Sequence, residues 1–109
     1  MLLVALAASL VAQDFRSSVG LGGQTCAEWS SHHRRPGVDR RLDQQWLFGF
    51  LSGANFALSK DSEHKLLWGS VDPRNYVDFI DHYCASHPST LAQDAAFALV
   101  KDLKEEGGL

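Results

Sequence analysis

Apolar residues recur at steps of three and four in several stretches of this chain, and nowhere do they alternate with polar ones for long. That spacing marks amphipathic helices rather than strands, and no pair of runs is joined by a hairpin turn signal. The first stretch is short, "CAEWSSHH". Thr25 stands before it with Glu28 three residues on, the form of a capping box, and Trp29 is its candidate buried anchor. Pro36 and Gly37 then break the chain. Asp39 is placed to cap a second helix through "RRLDQQWLFGFLSGANFAL". Leu42, Trp46, Gly49, Phe50, Gly53, Phe56 and Ala57 fall on one face of it, while Leu47 and Leu51 make the opposite side apolar too. A helix apolar nearly all round is usually the most buried one.

Within that helix, Trp46, Gly49, Gly53 and Asn55 are the candidate packing residues. A glycine costs a helix up to about 1 kcal/mol relative to alanine, so two of them four apart predict compensating close contact with another backbone. Asn55 is expected to be a buried amide holding the helix to a neighbour. The third helix opens on Asp72 as cap and Pro73 at its first position. Tyr76, Phe79 or Ile80, and Tyr83 line its apolar face with Cys84 beside them, leaving Asp78, Asp81 and His82 on a solvated side. The last helix has Thr90 and Gln93 as a second capping box. Its stripe is Leu91, Ala95, Leu99 and Leu103 with Ala92, Ala96 and Val100, closed by Gly107 and Gly108. Between the second and third helices, "SKDSEHKLLWGS" is polar with an apolar insert, Leu66-Leu67-Trp68, suited to one short helical turn.

The N-terminal "MLLVALAASLVA" is uncharged and ends in small residues, as the core of a secretory signal peptide does, although no Lys or Arg precedes it. At about 12 residues it is short of the ~20 that span a bilayer, so a stable membrane anchor is not expected; a buried N-terminal helix is the alternative. Residues 1–12 are thus read as the signal core, 13–24, rich in Gly and Ser, as a flexible leader, and 25–106 as the folded domain. Export changes the reading of the two cysteines. In an oxidising compartment Cys26 and Cys84 predict one disulfide, whereas in the cytosol they would be separate buried thiols. The expected fold class is all-α, a small four-helix irregular bundle stapled by that disulfide.

Size and charge narrow the function. The 109 residues, 45% hydrophobic, suit one small domain. A formal net charge of -3 gives no bulk positive field for nucleic acid, and the basic run His32 to Arg35 is too short to reverse it. Ser52 is not in the setting of a nucleophile elbow. The five histidines (His32, His33, His64, His82, His87) form no HxxxH or HExxH face: His82 and His87 are five apart, and adjacent His32 and His33 point in different directions on a helix. No enzyme, cofactor or metal is expected. Trp29, Trp46 and Trp68 are many tryptophans for so short a chain, and a protein partner is a better use for an exposed one.

"TCAEW", "WLFGFLSGAN", "YVDFIDHYC" and "TLAQDAAFALVKDLKEE", in this order from Thr25 to Glu106, resemble the HdeA-like family of small exported proteins. The resemblance implies a helical fold, a Cys26–Cys84 disulfide and a place in the bacterial periplasm. It also implies an ATP-independent acid-stress chaperone, a dimer at neutral pH that opens in acid to bind unfolded clients. The central helix with "SGAN" is longer than in well-known members. A similar pattern occurs in Tai-type immunity proteins, which block peptidoglycan-cleaving effectors and usually carry further cysteines; it implies a specific effector as partner instead.

Overall fold

A computed structural model describes residues 20–58 and 72–107. Along them run a 3-10 turn (Gly20–Gly23) and four α-helices: α1 (Cys26–Arg34), α2 (Val38–Leu58), α3 (Arg74–Ser86) and α4 (Ala92–Gly107). No strand occurs among the described residues; a single bridge joins Thr25 to Leu91. The fold is the expected small all-α bundle with one disulfide. The signal-peptide core, the leader as far as residue 19 and the Leu66-Leu67-Trp68 insert lie outside the described residues.

Local chemistry explains where each helix starts. At α1 the Thr25 hydroxyl accepts the Glu28 N–H at 3.2 Å, as the capping pattern predicts. His32, His33 and Arg34 fill the last turn, where positive charge suits the negative end of the helix dipole. α2 begins at Val38, one residue before the expected cap: the Arg41 N–H bonds to the Gly37 carbonyl at 3.1 Å, and Asp39 sits inside the first turn instead. α3 begins at Arg74, whose N–H the Asp72 carboxylate accepts at 2.9 Å. The capping box expected at α4 does not form. Thr90 Oγ1 donates to the His87 carbonyl at 2.9 Å, while the Asp94 carboxylate accepts the Leu91 N–H at 3.1 Å. The Gln24 carbonyl takes the Ala92 N–H at 2.9 Å, so a neighbouring segment supplies part of the cap.

Gln24 also moves the start of the folded part back from Thr25. Residues 20–24, expected in the flexible leader, belong to the fold: Gly22 is buried and the 3-10 turn packs against α2 and α4. Gly20 takes φ +85°, a left-handed conformation suited to glycine, and lies beside the Trp46 indole.

The core gathers Trp29, Leu47, Leu51, Tyr76, Val77, Ile80, Leu99 and Leu103 around Ala92, Ala95 and Ala96, whose small side chains let α4 lie close to its neighbours. Cys26 and Cys84 are bonded, joining the start of α1 to the end of α3 across 58 positions, and both are buried. The loop-closure entropy removed from the unfolded chain is worth about 4 kcal/mol. Around the bond, the Cys26 N–H reaches the Thr90 carbonyl at 2.7 Å and the Ala27 N–H the Pro88 carbonyl at 3.0 Å. The start of α1 is therefore sewn to the α3–α4 connection by backbone as well as sulfur.

The largest departure from expectation is the rotation of α2. Its inward stripe is Asp43, Leu47, Leu51 and Asn55, not the face through Leu42, Gly49 and Phe56. Leu42 is 51% exposed and Phe56 74%. Trp46 and Phe50 flank the core half-buried, their rings 5.3 Å apart, with Phe97 of α4 5.5 Å beyond Phe50. Gly49 and Gly53 are exposed, with nothing within 4 Å of where a Cβ would stand. The close backbone contact expected of them is absent within the described chain. The side turned inward instead carries the Asp43 carboxylate, which finds partners there, and the buried Asn55 amide.

Candidate functional site

The polar groups that α2 and α3 bring toward α1 form two linked clusters, each built on one aspartate. Asp43 is fully buried. One of its oxygens accepts Gln24 Nε2 at 2.7 Å, and the other lies 2.7 Å from His32 Nδ1. A carboxylate can only accept, so with Asp43 ionised the imidazole hydrogen sits on Nδ1. The exposed Asp39 carboxylate lies 3.9 Å from the other ring nitrogen of His32. Removing a carboxylate from water costs several kcal/mol unless it is paired and hydrogen-bonded, so the site holds only because the 3-10 segment and α1 both supply donors.

Asp81 of α3 anchors the second cluster. Its Oδ1 accepts the Trp29 indole N–H at 2.8 Å and Arg40 Nη1 at 2.9 Å; its Oδ2 accepts Arg40 Nη2 at 2.8 Å, with His33 Nδ1 3.3 Å away. The two-pronged Arg–carboxylate pair is the strong form of this interaction, and it is nearly dry, with side-chain exposures of 11% and 13%. Arg40 also lies 5.9 Å from the centre of the Trp29 ring, at the outer limit of a cation–π contact. Neighbouring histidines on α1 thus diverge to different carboxylates, one on α2 and one on α3. Asp81, read as part of a solvated face, is instead the junction of three helices.

Beside the second cluster a groove of about 580 Å³ runs between α1 and α3, lined by Ala27, Ser30, His33, Arg34, Asp78, Asp81, His82, Cys84, Ala85 and Pro88. It is open and mixed in charge. Elsewhere the Arg74 guanidinium, donating to Asp72 at 2.7 and 3.0 Å, holds that exposed carboxyl below the ordinary aspartate range. Arg74 is pushed up in return by the same bond. Burial pushes the Tyr76 phenol up, with the Glu106 charge adding to it.

The packing candidates separate. Asn55 is buried on the inward stripe, Trp46 is half-buried at the edge of the core, and Gly49 and Gly53 face outward. Ser52 is exposed and donates to the Phe48 carbonyl one turn back at 2.8 Å, a helix-local bond rather than the contact of a nucleophile with a base. His87 Nδ1 lies 2.8 Å from the Tyr83 carbonyl, its ring stacked on Tyr83 at 4.2 Å. Among the described residues no group of three His, Cys, Asp or Glu side chains is placed to hold a metal ion. No described helix is long and apolar enough to cross a membrane. Hydropathy passed over Asp43, Arg40 and Asp81. A signal for the first was available: Asp43 and Asn55 share a four-residue stripe with Leu47 and Leu51.

No family model matches the chain, and no curated protein or solved structure shows significant similarity to it.

Proposed function

We propose that this chain is an exported, periplasmic chaperone that works without ATP and binds unfolded clients in acid. The observation that carries the reading is the fully buried Asp43 carboxylate, which ties the 3-10 segment, α1 and α2 together through Gln24 and His32. Protonating it removes the charge that makes those bonds strong and leaves any His32 cation beside a neutral acid. Asp81 gives the same vulnerability at α3, where Arg40 and His33 would face a neutral partner. In strong acid ten Lys and Arg and five His stand against no carboxylate charge, and self-repulsion adds to the loss. Parting α1 from α2 uncovers Trp29, Leu47 and Leu51, apolar surface of the kind that captures unfolded chains. The Cys26–Cys84 bond keeps α1 tethered to α3 throughout, and its presence favours an oxidising compartment.

The test is aggregation of an acid-sensitive client, followed by light scattering at about pH 2 to 3, below the ordinary carboxylate range, and at neutral pH. Suppression in acid alone, with binding of a hydrophobic dye over the same interval, is the expected result. A protein that leaves aggregation unchanged in acid refutes the proposal. The α1–α3 groove, with Ser30, His33, Arg34, Asp78 and His82 along it, favours a second reading: an immunity-type inhibitor docking one effector. Such a protein would stay rigid in acid, bind no dye and return one stoichiometric partner from envelope extract.

A further inference from the structure

The geometry points to a ligand site in the groove between α1 and α3: it takes a short peptide with both ends free, the carboxylate on Arg34 and the ammonium on Asp78. The two helices run antiparallel along this groove. Cys26 at the start of α1 is bonded to Cys84 near the end of α3, while Trp29 and His33, further along α1, meet Asp81 one turn earlier in α3. Ala27, Ser30 and Arg34 follow one another at steps of three and four along one wall, and Asp78, His82 and Ala85 do so along the other. The groove therefore has two unlike ends. Where the Ala27 N–H meets the Pro88 carbonyl, small side chains, Ala27 and Ala85, lie over the buried disulfide. Arg34 and Asp78 stand at the other end, on opposite walls.

Charge selects the ligand. Arg34 and Asp78 are exposed, and neither side chain forms an ion pair or a hydrogen bond among the described residues; the Ser30 and His82 side chains, between them along the walls, are likewise uncommitted. Asp81 is different. Arg40 grips it at both oxygens and the Trp29 indole N–H adds a third bond, so its charge is answered within the fold. Arg74, one turn before Asp78, feels that carboxylate only through space and is itself bonded to Asp72. An anion alone would meet Asp78, and a cation alone would meet Arg34. A ligand with one charge of each sign at separate ends satisfies both, and the termini of a dipeptide are separated in that way. A guanidinium takes a carboxylate through two parallel N–H bonds, and Ser30 and His82 can bond the peptide group between the ends. No aromatic ring lines the groove among the described residues, so a ring-shaped ligand has no face to stack on. At about 580 Å³ the groove is within the usual range for ligand sites, and its small floor leaves room for methyl side chains. The site belongs to the closed fold, so it stands or falls apart from acid opening.

The test is NMR titration of the full chain, disulfide intact, with dialanine at neutral pH. The ligand should shift the backbone amides of Ser30, Arg34, Asp78 and His82 saturably, with a Kd of about 1–10 mM, as an open site and so small a ligand allow. N-acetyl-dialanine and dialanine amide, each missing one charge, should bind about two- to fivefold more weakly, the worth of one exposed ion pair. Arg34→Gln should weaken dialanine by the same factor and leave dialanine amide unchanged. Asp78→Asn should weaken it equally and leave N-acetyl-dialanine unchanged. Both positions are exposed, so far-UV dichroism of the variants should match wild type. No saturable shift by about 50 mM dialanine, or shifts centred away from the groove, overturns the site. Acetate or methylammonium binding as tightly as dialanine, or blocked peptides that lose no affinity, overturns the ligand class.

Discussion

Asp43 is buried and bonded on both oxygens, and replacing it separates the effects of charge and of hydrogen bonding. Asn keeps the shape and still accepts from Gln24, but its amide nitrogen faces His32 Nδ1, which must then accept by moving its hydrogen to Nε2. Two charge-assisted bonds, each about 1.5–3 kcal/mol, become neutral bonds of about 0.5–1.5 kcal/mol, so Asp43→Asn should destabilise the fold by about 2 kcal/mol. Ala removes the acceptor. The Gln24 amide and the His32 N–H then lose their buried partner, and at about 1–3 kcal/mol for each orphaned group, with a small cavity besides, the loss should reach about 3–5 kcal/mol. Against the ~5–15 kcal/mol of a typical domain, the Ala variant should be close to unfolding. The assay is urea denaturation at neutral pH with the disulfide intact, read by far-UV dichroism and fitted for midpoint and slope. Wild type, Asn and Ala should fall in that order with a common slope. An Ala variant within about 1 kcal/mol of wild type would show that the site is wetter and weaker than its geometry implies, and the acid-opening proposal would lose its foundation.

Reduction, or joint Cys26→Ser and Cys84→Ser replacement, should lower the unfolding free energy by about 4 kcal/mol, visible as a fall in urea midpoint; no change would mean that the 58-residue closure contributes nothing. Asp72 should titrate below the ordinary aspartate range by NMR and return toward it in Arg74→Ala. Because its folded value is depressed, any stability it lends is present above the ordinary range and disappears as the pH falls through the folded value. The pair is solvent-exposed, so Arg74→Ala should scarcely move the urea midpoint. Tyr76 has the opposite sign for a group that ionises to an anion: its folded value is raised, so stability is lost as the pH climbs past the ordinary tyrosine value near 10. Absorbance titration should show one phenol ionising late in the folded protein, and Tyr76→Phe should remove that step.

Most of the architecture was legible because it rests on local rules. Thr25 and Asp72 bond the backbone N–H groups that their positions predict, α4 buries its alanine and leucine stripe, and the two cysteines meet. What was not legible depends on partners far along the chain. The cap of α4 needs the Gln24 carbonyl, sixty-eight positions before Ala92, which no capping pattern contains. Asp81 looks like a surface acid until Arg40 and Trp29 are folded onto it, at separations of 41 and 52 residues.

The face of α2 shows the same limit most clearly. Counting apolar carbon along the helix selects the side with Leu42, Gly49 and Phe56, since the other carries an aspartate and an amide. That count treats a polar atom as a fixed cost of burial, whereas the cost depends on what is waiting inside. Here His32 and Gln24 bind the Asp43 carboxylate, and Leu47 and Leu51, one and two turns on, are carried into the core with it. Turning the helix the other way would leave those donors without their acceptor and take both leucines out of the core. The paired carboxylate therefore favours this rotation, and the stripe with Leu42, Phe56 and the two glycines is left outside.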